Sequence, residues 1–179
     1  MYVIYVIMES MRESRSYSIS DLTTLPEQSV VMMAGLPGGD RSHIAKHLGV
    51  MLDAQVVSSE AIRNELSGGG SNAVSSQQVL EVIHHRVERG LTEGGSLIID
   101  ASHTIEEVRR RDVRVYRKFG AAAVVAVHVI SPVEAPLVRR IRRSRLVPDQ
   151  MVRLMWHNLD MAPPSTDDGY DYVVNINDN

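Results

Sequence analysis

Residues 30–42 read Val-Val-Met-Met-Ala-Gly-Leu-Pro-Gly-Gly-Asp-Arg-Ser, an apolar run that leads into a glycine-rich turn. Ile44, Ala45, Leu48 and Met51 then follow at the spacing of one buried helix face. A strand, a glycine-rich turn and a helix together make an anion site, because backbone N–H groups and the helix N-terminus surround the ligand. This stretch therefore predicts a loop that binds nucleotide phosphates within an α/β fold.

The turn departs from the usual phosphate-loop pattern, G-x-x-x-x-G-K-[ST], at two positions. Gly35 and Ser42 match the first glycine and the hydroxyl, whereas Asp40 replaces the second glycine and Arg41 replaces the lysine. Ser42 is expected to bind Mg²⁺ through its hydroxyl, and the alternative is an ordinary serine early in a helix. The residues predicted to surround the phosphates are Gly35, Gly38, Gly39, Asp40, Arg41 and Ser42.

Asp40 decides whether this loop still binds a nucleotide. A carboxylate ~5 Å from a phosphate charge costs on the order of 3 kcal/mol at an effective dielectric of 20, about a hundredfold in affinity. Arg41 keeps the positive charge, but its forked guanidinium is bulkier than an ammonium in a tight loop. A pair between Asp40 and Arg41, or between Asp40 and an arginine of the basic segment 136–147, is a further way to fill the loop.

Composition restricts the class of protein without naming it. The 179 residues favour one α/β domain, and a formal net charge of −3 gives no global attraction to nucleic acid or membranes. The absence of cysteine excludes disulfides, thiolate zinc sites and thiol catalysis. The apolar start, Met1 to Met8, is too short to span a bilayer and lacks a basic n-region, so we expect a cytoplasmic protein. Residues 1–28 are interpreted as a partly flexible extension and residues 29–179 as the domain.

Strand and helix patterns alternate after the loop. Short or fully apolar strands are predicted at 55–57, 96–100, 122–130 and 172–176, and helices at 59–66, 79–89, 106–119, 136–145 and 148–160. The alternation predicts a parallel sheet with right-handed crossovers and helices on both faces. Ligands of such sheets bind at the carboxyl ends of the strands, where the loop, Glu60 and Asp100 all fall.

Six segments in order resemble the P-loop kinases of the bacteriophage polynucleotide kinase type, a group that includes related small-substrate kinases. They are Ala34-Gly35-Leu36-Pro37-Gly38, Ser59-Glu60-Ala61-Ile62-Arg63, Ile98-Ile99-Asp100-Ala101-Ser102-His103, the arginine helix from Arg139, Val147-Pro148, and Asp168-Gly169-Tyr170-Asp171. The resemblance covers roughly residues 29 to 176. It implies a five-stranded sheet of order 2-3-1-4-5, ATP or GTP as phosphate donor, Mg²⁺, and an acceptor hydroxyl on a nucleic-acid end or a nucleoside-like small molecule.

The resemblance also assigns roles to individual residues. Glu60 is expected to accept the proton of the acceptor hydroxyl, and the alternative is a helix-start glutamate that interacts with the helix dipole. Arg63 is expected to hold a substrate phosphate, or else to be a solvated helix arginine. Asp100 ends a buried strand, where a carboxylate is costly unless it binds an ion, water or donors, so it is expected to order Mg²⁺ or to hold the loop through Ser42. The alternative is an acid that caps the following turn. Ser102 and His103 replace a threonine and an asparagine of the family.

The densest basic segment lies where the resemblance implies a lid that closes over the donor phosphates. Helical spacing brings Arg139, Arg142 and Arg143 to one face of the segment 136–147, and the alternatives are a solvated face or a nucleic-acid backbone contact. The other basic run, Arg109 to Arg111, is expected to be mostly exposed, with at most one arginine at the cleft. The pairs His43–His47 and His84–His85 lack the acidic context of a metal site.

Two functions follow from these patterns. The first is a kinase that transfers a γ-phosphate to a hydroxyl, with weakened nucleotide binding. The second is a P-loop module that binds nucleotide or nucleic acid without turnover. The residues that favour the kinase are Ser42, Glu60, Arg63, Asp100 and the arginines of the segment 136–147. Those that favour the module are Asp40, Arg41, His103 and Asp168.

Overall fold

The protein forms a five-stranded, fully parallel sheet in the order β2-β3-β1-β4-β5. The structure is a computed structural model that describes residues 18–38, 40–68, 74–131 and 148–177. The strands are β1 (Ser29–Gly35), β2 (Gln55–Ser58), β3 (Leu97–Asp100), β4 (Ala123–Ile130) and β5 (Val173–Asn177). The predicted α/β class and the predicted strand order are confirmed.

Helices cover both faces of this sheet. They are α1 (Arg41–Met51), α2 (Ser59–Ser67), α3 (Ser76–Thr92), α4 (Glu106–Lys118) and α5 (Asp149–Met161). The lid segment 136–147 and most of the glycine-rich break, residues 69–73, lie outside the described residues. None of the described helices is both long and apolar enough to cross a bilayer.

Alternating side chains of β1 supply two separate cores. Val30 and Met32 pack with α3 and α4, whereas Val31 and Met33 pack on the opposite face with α1. Successive strand residues point to opposite faces, so an uninterrupted apolar run such as β1 requires cover on both sides. The result is a three-layer arrangement with β1 at its centre.

Two local predictions need correction. Met51 was placed on the buried face of α1, but it is 44% exposed, and Gly49 is buried there instead. A side chain at Gly49 would meet Val56 Cγ2 at 2.7 Å, so α1 approaches β2 closely at this position. Helix α3 begins at Ser76, a turn before the predicted Val79, because Ser75 and Gln78 form a capping box.

Part of the predicted N-terminal extension packs against the domain. A 3₁₀ helix spans Ile19–Thr24, and its Leu22 is fully buried in the core beside α1. The Tyr172 hydroxyl donates to the Asp21 carbonyl at 3.2 Å, which ties this helix to the start of β5. Residues 1–17 lie outside the described residues, and the division at residue 28 stays a prediction.

Candidate functional site

The glycine-rich turn lies at the carboxyl end of the central strand, as the sequence predicts. Gly35 ends β1 with φ 153°, and a Cβ there would meet the Val129 carbonyl oxygen at 3.0 Å. The Gly35 N–H donates to the Ser102 carbonyl at 3.0 Å, so the turn is joined directly to the segment after β3. Gly38 has φ 93°, a conformation that favours glycine, and Gly39 lies outside the described residues.

Arg41 is folded into this turn. Its side chain is buried, and its Nε donates to Asp100 Oδ1 at 2.8 Å. One of its terminal nitrogens donates to the Gly35 carbonyl and to Ser102 Oγ, both at 2.9 Å. The cation of the loop is therefore held by the acid that ends β3. We name these contacts of Arg41 with Asp100, Gly35 and Ser102 the arginine latch.

The latch accounts for the burial of Asp100, which is 4% exposed. A buried carboxylate is costly unless it is paired and hydrogen-bonded, and Arg41 supplies both the charge and a donor. The start of α2 adjoins the same acid, because Ser59 Oγ donates to the Asp100 carbonyl at 3.1 Å. An Asp40–Arg41 pair was one of two internal pairs considered from the sequence, whereas the carboxylate that Arg41 contacts here is Asp100.

Asp40 and Ser42 flank the latch in the chain. Asp40 is the N-cap residue of α1, where its carbonyl accepts from the Ile44 N–H at 2.9 Å. Its side chain makes no capping hydrogen bond, although it is half-buried. Ser42 is half-buried in the first turn of α1. Both therefore lie at the helix end that faces the phosphate loop.

The predicted acceptor-side residues lie on α2. Glu60 is exposed in the first turn of this helix, next to Ser59, which contacts Asp100. Arg63 is also exposed, and one of its terminal nitrogens donates to the Val74 carbonyl at 2.6 Å. Arg63 thus braces the entry to α3. Arg139 and Arg143, the predicted lid residues, lie outside the described residues.

His103 is held in a strained and buried position. Its φ is 41°, which is uncommon for a residue with a side chain, and its Nδ1–H donates to the Met33 carbonyl at 2.6 Å. Burial lowers the pKa of this imidazole, although the hydrogen bond to Met33 acts in the opposite direction. The neutral imidazole donates its Nδ1 proton to the Met33 carbonyl. This hydrogen bond holds the backbone of His103, and with it the neighbouring Ser102, against β1.

Arg109 is the exception to the prediction of a mostly exposed basic run. It is fully buried, with its Nε 2.7 Å from Asp168 Oδ2 and other nitrogens donating to the carbonyls of His103 and Ala162. It therefore joins the segment after β3 to the end of α5. The spacing of Arg109, Asp112, Val113 and Tyr116, which are the buried residues of α4, was the sequence signal for this placement.

A cavity of 250 Å³ opens beside Ser102, between α2, α3 and α4. Its walls are mostly aliphatic, and the polar groups among its lining residues include Arg63, Asp112 and Tyr116. A second cavity, of 230 Å³, lies on the other side of the loop between the end of β4 and α5. Trp156 and His128 line it, together with Leu36 of the phosphate loop.

His128 and the pair His43–His47 contact other side chains of the protein. Burial lowers the pKa of His128 to about 4, although its hydrogen bond with Asn175 raises it, so the imidazole is neutral at pH 7. His43 and His47 contact each other on exposed α1, with their Nε2 atoms 3.0 Å apart. Among the residues that the structure describes, no group of three or more potential ligands is placed to hold a metal ion.

Solved structures of kinases share this architecture. A gluconokinase from Sinorhizobium meliloti 1021 superimposes with a TM-score of 0.58 at 11% identity, covering 86% of this chain and 85% of that one. A shikimate kinase from Acinetobacter baumannii, in complex with shikimate, gives 0.51 at 17% identity, with coverage of 90% and 89%. The Pnkp1/Rnl/Hen1 RNA repair complex gives 0.66 at 19% identity, covering 83% of this chain but 48% of that chain.

At these identities the likeness establishes the fold alone. No curated protein matches the sequence closely enough to count as a relative. The model of a family described as AAA domain matches residues 30–159, which include the phosphate loop, Asp100 and most of α5. The chain therefore belongs to this AAA-domain family, and its fold is that of the P-loop kinases.

Proposed function

We propose that this protein is a kinase that transfers the γ-phosphoryl group of ATP or GTP to the hydroxyl of an acceptor. In this reaction the acceptor oxygen bonds to the γ-phosphorus, the bond from the γ-phosphorus to the bridging oxygen breaks, and the nucleoside diphosphate leaves. The hydroxyl proton passes to a base, the role proposed for Glu60. A resemblance to polynucleotide kinases makes a nucleic-acid end one possible acceptor, and a nucleoside-like small molecule another.

One observation carries the proposal. The phosphate loop, Asp100 and the start of α2 meet at the carboxyl edge of the sheet, and a cavity of 250 Å³ opens beside Ser102 at the same edge. Phosphoryl transfer depends on positioning and charge neutralisation, so a phosphate site beside an acceptor-sized cavity is the arrangement it needs. Arg109 supports the same edge from behind through its contact with the His103 carbonyl.

The residues present suit Mg²⁺ and a triphosphate. Ser42 and Asp100 offer the hard oxygen ligands that Mg²⁺ prefers, and Gly35 keeps the loop backbone free of side-chain atoms. When bound, Mg²⁺ would neutralise charge on the transferring phosphoryl group. In the described state Arg41 neutralises Asp100 instead, so nucleotide binding requires Asp100 to exchange one positive partner for another.

The proposal is tested by titrating the full chain with MgATP and MgGTP in a calorimeter, followed by a search for acceptor-dependent ADP or GDP release. We expect binding of at least one nucleotide and transfer to a small alcohol or to a 5′-hydroxyl oligonucleotide. Failure to bind any nucleoside triphosphate would remove the kinase proposal.

A second function is favoured by the latch itself. Because Arg41 and Asp100 satisfy each other, the fold does not need a ligand to stabilise its phosphate loop. A descendant that binds nucleotide or nucleic acid without turnover is consistent with this. Nucleotide binding without transfer to any acceptor would favour this module over the kinase.

A further inference from the structure

The cavity beside Ser102 carries information about the acceptor, given the proposed kinase function on which this inference rests. It measures 250 Å³, near the lower end of the size of small-molecule pockets. Its size therefore suits a small molecule. Aliphatic side chains from α3 and α4 form its walls, among them Val79, Leu80, Ile83, Ile105 and Val108.

Asp112 places a negative charge among the lining residues. Its side chain is 1% exposed, and within the described residues both of its hydrogen bonds end on Oδ1: His84 at 3.3 Å and Arg111 at 3.0 Å. Burial raises the pKa of this carboxyl, but His84, His103 and Arg111 more than offset that, and the pKa lies below its usual value. The group is therefore an anion, paired with Arg111 on the side of Oδ1.

Tyr116 lines the same cavity with a phenol. The residue is fully buried, and its hydroxyl has no hydrogen-bond partner among the described residues. Burial, followed by the proximity of Asp112, raises the pKa of this hydroxyl well above its usual value, so it remains a neutral donor. A buried polar group without a partner destabilises the fold unless something else satisfies it.

The opposing charge in the lining comes from Arg63 of α2. One of its terminal nitrogens is already committed to the Val74 carbonyl. An anionic acceptor would gain from Arg63 but would also meet the carboxylate of Asp112, whose charge Arg111 only partly offsets at 3.0 Å. A hydroxyl or an ammonium group on the ligand could instead donate a hydrogen bond to the Asp112 carboxylate beside the Tyr116 phenol.

We propose that the acceptor is a small alcohol, uncharged or cationic, with a second hydrogen-bond donor that reaches Asp112 and Tyr116. Its aliphatic part lies against α3 and α4. The hydroxyl that receives the phosphoryl group lies at the Ser102 end, beside the loop. The cavity disfavours sugar acids and polynucleotide ends, because both bring negative charge to Asp112.

Three probes of equal length test this assignment on the full chain without nucleotide: pentane-1,5-diol, 5-aminopentan-1-ol and 5-hydroxypentanoate. Saturation-transfer NMR is expected to detect the diol and the amino alcohol at millimolar concentration, with the hydroxy acid at least about tenfold weaker. Asp112→Asn should remove most of this discrimination. Equal binding of the hydroxy acid by the wild type, silence of all three probes, or displacement of the diol by a 5′-hydroxyl oligonucleotide would each overturn the proposal.

A matched pair of variants checks the phenol without threatening the fold. Tyr170 is the other buried tyrosine whose hydroxyl has no partner among the described residues, and it does not line this cavity. Tyr116→Phe and Tyr170→Phe should each preserve or raise Tm, but only Tyr116→Phe should weaken diol binding, by about fivefold or more. Equal effects of both variants on the diol would refute a role for Tyr116. Since these readouts need no nucleotide, they separate failure of the acceptor assignment from failure of MgATP to bind.

Discussion

Replacement of Arg41 by lysine should destabilise the protein and tighten its binding of MgATP at the same time. Arg41 makes three charge-assisted hydrogen bonds, to Asp100, Gly35 and Ser102. Lysine keeps the charge but lacks the fork, so we expect it to lose one or two of them. At about 1.5 kcal/mol each, the free energy of unfolding should fall by ~1.5–3 kcal/mol.

The gain in affinity follows from linkage. Contacts made only in the nucleotide-free state stabilise that state and must be broken when nucleotide binds. A variant that lacks these contacts therefore has a lower free energy of unfolding and a higher affinity for MgATP. A change of ~1.5–3 kcal/mol corresponds to about ten- to a hundredfold in Kd. Urea denaturation measures the first quantity, and calorimetry with MgATP measures the second.

Arg109→Lys provides the matched control. Arg109 is also buried and lies 2.7 Å from a carboxylate, Asp168, but outside the phosphate loop. It should lose stability without any gain in nucleotide affinity. If Arg41→Lys lowers both the free energy of unfolding and the affinity for MgATP, the latch does not compete with nucleotide. Such a result would mean that Arg41 itself contacts the phosphates of the bound nucleotide.

Three further changes test separate parts of the site. Glu60→Gln should abolish phosphoryl transfer while MgATP affinity stays within about twofold, because a base acts on the acceptor; undiminished turnover would exclude Glu60 from the mechanism. Asp40→Gly should tighten MgATP binding by ~2–3 kcal/mol in calorimetry if the carboxylate faces the phosphates, and an unchanged Kd would show that it points away. The buried neutral His128 has a pKa of about 4 when folded, so its contribution to stability is full above pH 6.5 and declines as the pH falls towards 4. Urea denaturation at pH 7.5 and 4.5 measures how far the free energy of unfolding falls between these pH values. The fall should be ~2–3 kcal/mol smaller in His128→Gln than in the wild type, and equal falls would contradict a neutral, buried His128.

The fold was predictable from local patterns, whereas the partners of the charged side chains were not. The apolar run of β1, the glycine turn and the valine-rich β4 are each readable within a dozen residues, and alternation of strands and helices fixes parallel pairing. Arg41 meets Asp100 across 59 positions of sequence. That contact depends on the register of β1 against β3 and on the rotamer of a long side chain, which no short-range pattern encodes.

Arg109 is a second residue whose partner could not be predicted from the local sequence. Its charge predicted exposure, because arginine is seldom buried without a partner. The partner, Asp168, lies in a 3₁₀ turn before β5, and only the packed fold brings it to α4. The helical spacing of Arg109 with Val113 and Tyr116 carried the contrary signal, so periodicity outweighed residue type at this position.

The charges of the site largely satisfy one another before any ligand arrives. Arg41 neutralises Asp100, and Arg109 neutralises Asp168. A nucleotide must therefore displace existing contacts of Arg41, and the loss of one or two of them reduces its apparent affinity by the ten- to a hundredfold worked out above. A site with an intrinsic Kd of about 1 μM would still bind at ~10–100 μM, and millimolar nucleotide would fill it. The latch alone thus weakens binding without abolishing it, and loss of function would require the repulsion of Asp40 to add to it in full.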